Sequence, residues 1–236
     1  MDCRVSVCMA TYNGEKYIRR QMETILRQLG DEDEVVISDD SSTDGTLSII
    51  ESFQDERIKV LKGNRFHSPI YNLENALKHA KGEFVFLADQ DDIWLDDKVC
   101  DMLLLLRDYD LVVSDCKVVD ADERVLQPSF FKLLNSGSGF VKNLMKNTYI
   151  GCCMAFKRDV LSYVLPFPSN IPMHDVWIAL NVEYRRKKIL FFDKPLILYR
   201  RHGDNASSCS EPSRRPLKDK FLDRWHLMTS IFKHSK

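Results

Sequence analysis

Five short apolar runs recur through the first half of the chain, with an amphipathic stretch between each pair. RVSVCMAT (4–11), EVVISDD (34–40), IKVLKG (58–63), FVFLA (84–88) and LVVSDCKVVD (111–120) read as buried strands. Helical patterns fill residues 14–28, 43–53, 68–80 and 96–109. In the first, Tyr17, Ile18, Met22, Ile25 and Leu26 fall at helical spacing; the second opens on a cap-like Thr43-Asp44, and the third has Pro69 near its start. Strands that alternate with helices of this length imply a mostly parallel central sheet with right-handed crossovers, hence a single α/β, Rossmann-like domain. In such sheets ligands bind outside the carboxyl ends of the strands. ATYNG after the first strand, SDDSSTDG after the second and ADQDD after the fourth would therefore meet at one edge.

The 236 residues suit one large domain or two small ones, and 44% apolar with 29% charged is the composition of a globular chain with a proper core. A net charge of −1 argues against a nucleic-acid partner. The charge is uneven: residues 212–236 hold seven Lys or Arg, Arg214 and Arg215 among them, against two Asp, so that segment is +5 and the rest −6. Its Leu222, Trp225, Leu227, Ile231 and Phe232 stand at roughly helical spacing. Two readings stay open: peripheral contact with an anionic inner membrane face, or a helix packed on the domain with a solvated basic side. Seven cysteines, Cys3 and Cys209 included, form no CxxC and sit mostly in apolar runs, as small core residues of a reducing compartment would. No secretory signal is visible, and no apolar run approaches the roughly 20 residues of a membrane span, so the expected location is cytoplasmic. Asn205-Ala-Ser matches a glycosylation acceptor, a tripeptide common by chance.

The alternation weakens after residue 120. Residues 121–147, with Pro128 and SGSG (136–139), read as a loop-rich connection. A helix from Asp159, a helix near 174–187 and a strand from 189 follow. The second half is expected to complete the same domain and form the other wall of a cleft.

FVFLADQDDIWLDDK (84–98) puts five aspartates within nine positions. Crowded carboxylates at the end of a buried strand are costly unless a cation neutralises them. Asp89 and Asp91, one residue apart, suit a hard divalent ion, Mg²⁺ or Mn²⁺. Asp96 and Asp97 read as the start of a helix, and Asp92 as reaching either the metal through water or the acceptor. Asp39-Asp40 form a second acidic pair, with Asp40 equally placed for a turn.

VSVCMATYNGEKYIRRQMETILRQ, then EVVISDDSSTDGT, then ALKHAKGEFVFLADQDDIW together resemble the amino-terminal half of a family 2 glycosyltransferase. The resemblance implies the GT-A fold, a nucleoside-diphosphate sugar donor and a D-x-D motif holding a divalent cation. YIGCCMAFKR, with Gly151, resembles the family's acceptor-side loop; MHDVW stands where many members have Glu-Asp; and LYRRHGDNAS resembles the motif whose histidine approaches the metal or diphosphate. QDDIW with RRHGDNAS most resembles the rhamnosyltransferase-like members that build bacterial surface polysaccharide. On this resemblance the GT-A domain spans 1–211, with 1–120 as the nucleotide-sugar half and 121–211 as the acceptor half, followed by a basic amphipathic tail at 212–236.

The residue roles implied are these. Ala10, Thr11 and Tyr12 line the nucleotide pocket, and Asp39 bonds the base. Asp89 faces the ribose or the metal, Asp91 is the main metal ligand, and His202 completes the metal or diphosphate site beside Arg200 or Arg201. Asp175 is the general base or merely caps its helix; His174 replaces the usual acidic partner; Trp94 stacks on a sugar or anchors the core. The implied reaction is inverting transfer to a saccharide or lipid-linked glycan. A sugar nucleotidyltransferase would need a glycine-rich loop that ATYNGEKY lacks. The phosphatase nucleophile suggested by STDGTL falls on Ser42. A non-catalytic nucleotide-sugar-binding or scaffold protein is the remaining alternative.

Overall fold

The computed structural model describes residues 4–169, 171–202 and 217–234. Cys3, Cys209, Asn205, Arg214 and Arg215 lie outside the described residues. The first half follows the expected alternation: β1 (Val5–Thr11), α1 (Ile18–Leu26), β2 (Glu34–Asp39), α2 (Thr46–Glu51), β3 (Ile58–Leu61), α3 (Pro69–Lys78) and β4 (Phe84–Ala88). β-branched and aromatic residues dominate β1, β2 and β4, and nearly every residue in them is buried, because helices or loops cover both faces.

A two-residue strand, β5 (Ile93–Trp94), precedes α4 (Lys98–Leu105) and the long β6 (Leu111–Val119). Asp97 sits just before α4 with φ +67 and no side-chain cap bond, and Asp96 pairs with Arg27 at 2.7 Å, so neither carboxylate caps the helix it precedes. Residues 121–147 are more ordered than expected, with β7 (Val125–Gln127), α5 (Phe130–Leu134) and α6 (Phe140–Met145). Ser129 caps α5 by accepting the Lys132 N–H. Next come β8 (Met154–Lys157), α7 (Leu161–Val164), α8 (His174–Tyr184), β9 (Ile189–Arg200) and α9 (Leu217–His234).

One sheet holds the described strands in the order β3-β2-β1-β4-β8-β6-β9-β5, with β7 on β6. β3, β2, β1 and β4 run parallel, as do β6 and β9, and antiparallel β8 splices the two groups. The single α/β domain with a mostly parallel central sheet is as expected, while the position of β8 leaves no periodic mark in the sequence. Register aligns Thr11 with Asp39 and Met9 with Ala88, so the segments after β1, β2 and β4 leave the sheet at one edge. β5 pairs with β9, Trp94 opposite Ile197, which pins the acidic segment between β4 and the outer strand.

One hydrophobic core runs through both sides of the sheet. α9 docks on it through Leu227 and Ile231, and the Trp177 ring meets His234 edge-on at 5.4 Å. The tail helix therefore packs on the domain, while Leu222, Trp225 and Phe232 stay exposed. A buried polar knot ties the far edge of the sheet: Ser6 Oγ donates to Glu34 at 2.6 Å and accepts the N–H groups of Lys81 and Gly82. A Cβ at Gly82 would stand 2.6 Å from the backbone of Val5 and Ser6, so only glycine lets that turn cross β1.

Candidate active site

At the edge where β1, β2 and β4 end, a cavity of about 840 Å³ opens. One wall comes from Ala10, Thr11, Tyr12, Asp40, His67, Asn72, Asp89, Gln90 and Asp91. The other comes from Phe130, Leu134, Asn147, Tyr149, Gly151, His174, Asp175 and Tyr199. Both halves of the chain thus face one space.

The first wall is locked from behind. Gln90 closes a two-bond clamp on Tyr12, accepting its N–H at 3.0 Å and donating to its carbonyl at 3.1 Å. Gly14 packs under Gln90, where a Cβ would meet Gln90 Oε1 at 2.4 Å. The Asn13 N–H donates to Ser42 Oγ, Gly14 to Thr46 Oγ1, and Gly45 to Glu15 Oε2. SSTDGT therefore serves as a fastener between the loops after β1 and β2.

Asp39 belongs to that fastener. It is fully buried, and its carboxylate accepts from Thr11 Oγ1, Ser42 Oγ and Ser42 N–H at 2.9, 2.6 and 2.9 Å. It is held within the protein and does not line the cavity, which corrects the expectation that it bonds a base. Asp40 lines the cavity instead, accepting the Phe66 N–H at 2.5 Å beside His67.

Asp91 lies on the cavity wall, and His202 Nε2 stands 2.8 Å from its Oδ2. The imidazole stacks on Tyr17 at 4.8 Å. Arg200 braces the same loop: its N–H donates to Asp92 Oδ1 at 3.0 Å, its Nε to the Asp91 carbonyl at 2.9 Å and its Nη1 to the Ala121 carbonyl at 2.8 Å. Arg200 is only 3% exposed and faces protein, not the cavity. Arg201 is half-buried, its N–H donating to the Val119 carbonyl. For Arg200 the expectation of substrate contact is corrected: its donors are held by the protein. Of the two readings of Trp94 the structure takes the core anchor: it is fully buried, its ring centroid 5.9 Å from that of Phe86, with Lys98 Nζ 4.9 Å from its ring centroid.

Asp89 is half-buried beside this group, its backbone carbonyl held by Gln21 Nε2 at 2.8 Å. Burial, and then the neighbouring Asp91, push its carboxyl up to about 7. Asp92 is raised well above the usual carboxylate range, by burial and then by Asp91. These raised affinities for protons are what a site deficient in positive charge produces. The donor set fits a divalent cation: Asp91 and His202 already in contact, Asp89 beside them, all oxygen or imidazole nitrogen.

Across the cavity, Asp175 stands in the first turn of α8, where the helix N-terminus favours an anion. Met173, not Asp175, occupies the cap position. Asp175 Oδ1 accepts the Val176 N–H at 2.5 Å and lies 3.4 Å from Asn147 Nδ2. Burial nevertheless holds its carboxyl at about 6. His174 is also buried, which depresses its imidazole to about 4 and keeps the ring neutral. Its Nε2 faces Gly151, where a Cβ would come within 2.5 Å. Asp40, Asn72 and Asn147 are wall residues that sequence reasoning missed or left undecided. Asp40 stood in a recognised acidic pair, whereas the two asparagines carried no signal.

The chain presents a cavity at the carboxyl edge of a parallel sheet, acids on one wall and a buried carboxylate opposite, an arrangement that suits a glycosyltransferase of the GT-A type. It belongs to glycosyl transferase family 2, whose model matches residues 6–165. The dTDP-rhamnosyl transferase RfbG of Shigella flexneri is 30% identical over 216 residues, covering 84% of this chain and 72% of that protein. The Escherichia coli UDP-Glc:alpha-D-GlcNAc-diphosphoundecaprenol beta-1,3-glucosyltransferase WfgD is 28% identical over 184 residues, covering 77% and 70%. Among solved structures, S. aureus TarS 1-349 in complex with UDP-GlcNAc superposes with a TM-score of 0.70 at 24% identity, covering 98% of this chain and 66% of that one. Mannosyltransferase PcManGT from Pyrobaculum calidifontis, in complex with GDP-Man and Mn²⁺, gives 0.63 at 21%, covering 100% and 64%. At these identities the two structures speak for the fold. Enzymes of the GT-A class generally depend on a divalent metal.

Gly151 and His174 compete for one volume, which yields a prediction. Gly151→Ala should destabilise the protein by about 1–3 kcal/mol through overpacking. In a His174→Ala background the same change should cost much less. Denaturant unfolding of wild type, both single variants and the double variant checks it. Additive losses would mean the two residues do not share the space.

Proposed function

We propose that the chain transfers a sugar, with inversion, from a nucleoside-diphosphate sugar to a saccharide or lipid-linked glycan acceptor in cell-surface polysaccharide synthesis. The observation that carries the reading is the placement of Asp175 across one cavity from Asp89 and Asp91. The relatives support the substrate classes: RfbG is named for dTDP-rhamnose chemistry, and WfgD for UDP-glucose and a diphosphoundecaprenol-linked acceptor. Residues 1–120 would hold the donor, and residues 121–211 the acceptor.

Ala10, Thr11, Tyr12 and Asp40 would enclose the nucleotide, with the Asp40 carboxylate accepting an imide N–H from a uracil or thymine. Asp91, His202 and Asp89 would hold the Mg²⁺ or Mn²⁺, which when bound would offset the negative charge that develops on the leaving diphosphate. Gly151 lets His174 pack against the acceptor-side wall of the cavity. Asp175 takes the proton of the attacking acceptor hydroxyl as the new bond forms on the face of the sugar opposite the leaving group. Asn147 steadies that carboxylate. One displacement exchanges the two bonds at the anomeric carbon, so the configuration inverts.

Donor binding provides the first test. Asp91→Ala should abolish Mn²⁺-dependent binding of UDP- and dTDP-sugars in titration calorimetry. Wild-type affinity in that variant would remove Asp91 from the metal centre.

Proton abstraction provides the second. The base works only as the carboxylate, so kcat should fall about tenfold per pH unit once pH drops below about 6, the value burial sets for Asp175. Asp175→Asn should keep donor binding and lose roughly 10²–10⁴-fold in transfer. A variant within about threefold of wild type would reject the assignment, because a general base contributes far more than that.

We assign the enzyme to the cytoplasmic face of the membrane, held peripherally. No helix among the described residues is long and apolar enough to cross a membrane. α9 nevertheless exposes Leu222, Trp225 and Phe232, and α6 exposes Val141 and Met145, whose carbonyl accepts from Arg224. Lys142, Lys146, Arg224 and Lys233 sit among them. Apolar tips among basic residues suit an anionic bilayer. Cosedimentation should show binding to anionic but not neutral vesicles, weakened by salt and by Trp225→Ala. Equal binding to both kinds of vesicle, or none, would sink the membrane contact.

A further inference from the structure

Behind the cavity wall, three donor atoms converge that the transfer reaction does not need together. One oxygen each of Asp89 and Asp92 and the Cys152 sulfur all lie within 4.8 Å of one another. They come from separate stretches: the end of β4, the approach to β5, and the single-turn 3-10 helix Gly151–Cys153 that leads into β8. Cys152 is fully buried, and Asp92 is 1% exposed. The Arg200 N–H satisfies Asp92 Oδ1 at 3.0 Å, but Asp92 Oδ2 has no hydrogen-bond partner within standard geometry.

A buried oxygen of this kind calls for a positive partner. The nearby ammonium attracts Asp92 and Cys152 through space without bonding to either carboxylate. Lys98 Nζ points to the Cys152 carbonyl at 3.4 Å, to Met102 Sδ at 3.5 Å and to the face of Trp94, and it forms no ion pair with either carboxylate among the described residues.

We infer that Asp89, Asp92 and Cys152 form a second cation site, selective for a thiophilic divalent ion of the zinc class and distinct from the Asp91–His202 centre. Two carboxylate oxygens and a thiolate match the ligand preferences of Zn²⁺ and Co²⁺, whereas Mg²⁺ and Mn²⁺ are poorly suited to a thiolate. Bond lengths of about 2.0–2.3 Å to such an ion put tetrahedral donors about 3.3–3.8 Å apart, so modest side-chain rotations close the cluster. Asp89 also lines the cavity, which gives the ion an entry path and a water from the cavity as fourth ligand. Binding forms a sulfur–metal bond and breaks the Cys152 S–H bond, releasing that proton to solvent. Because Asp89 serves both places, a zinc-class ion held behind the wall withdraws it from the donor side and opposes donor binding.

Co²⁺ is the probe. Titrated into the reduced protein, it should develop a thiolate-to-cobalt charge-transfer band in the near ultraviolet that saturates at one equivalent and is bleached by Zn²⁺. Cys152→Ser and Asp92→Asn should each lose the band, while Asp91→Asn, Cys100→Ser and Cys153→Ser should keep it. The Asp91→Asn arm separates this site from the proposed catalytic metal, since loss of metal-dependent donor binding there leaves the band in place. Absence of the band in wild type, or its survival in Cys152→Ser, overturns the site. Should Cys152→Ser fail to fold, Asp92→Asn decides by the same readout, because its amide oxygen still accepts the Arg200 N–H.

Discussion

The parallel pairing of β1 with β2 on one side and β4 on the other governs the rest of the molecule. Parallel strands must each exit at the same end, so three polar segments distant in sequence are forced to share an edge. Their mutual contacts then become obligatory. The Gln90–Tyr12 clamp, the Asn13–Ser42 bond and the triple hydrogen bonding of Asp39 all join loops that the register brought together. Only after these bonds are made does a rigid wall exist for Asp40, Asp89 and Asp91 to stand on.

The second wall depends on a different device. β8 enters antiparallel between β4 and β6 and carries the Gly151–Cys153 turn to the back of the acidic loop. β9 then reaches the opposite side through β5 and delivers Arg200 and His202. The acidic segment is therefore held from in front by Gln21, from behind by Arg200 and laterally by the β5–β9 pairing. Carboxylates that repel one another remain close because bonds to the Asp89 and Asp91 carbonyls and to the Asp92 carboxylate fix where they sit.

Much of this was legible in the sequence, for a physical reason. Short continuous apolar runs and period-3.6 amphipathicity are local properties, so the strands and helices up to residue 120 could be read directly. Ala10, Thr11, Tyr12, Asp89, Asp91, Gly151, His174 and Asp175 all reach the cavity because each follows a strand end or opens a helix at the binding edge. Misplaced residues were those whose environment is set by packing across the sheet. Asp39 and Asp40 are adjacent and chemically identical, yet one turns into a hydroxyl-lined pocket and the other into the cavity. Arg200 and Trp94 look like ligands in sequence and are structural because β9 and β5 bury them. Lys98 follows the aspartates that read as a helix start, and the fold encloses it fully under Trp94. α5 and α6 are too short for their periodicity to rise above noise.

The contact between Gly151 and His174 also bears on how such a protein can change over generations. The ring fills the space that any side chain at position 151 would need, so position 151 cannot grow while the imidazole stays. A lineage that enlarges residue 151 must first give up the imidazole, and with it the neutral group next to Asp175. The two positions behave as a single inherited character, and substrate preference on that wall would be expected to switch in steps rather than by gradual adjustment.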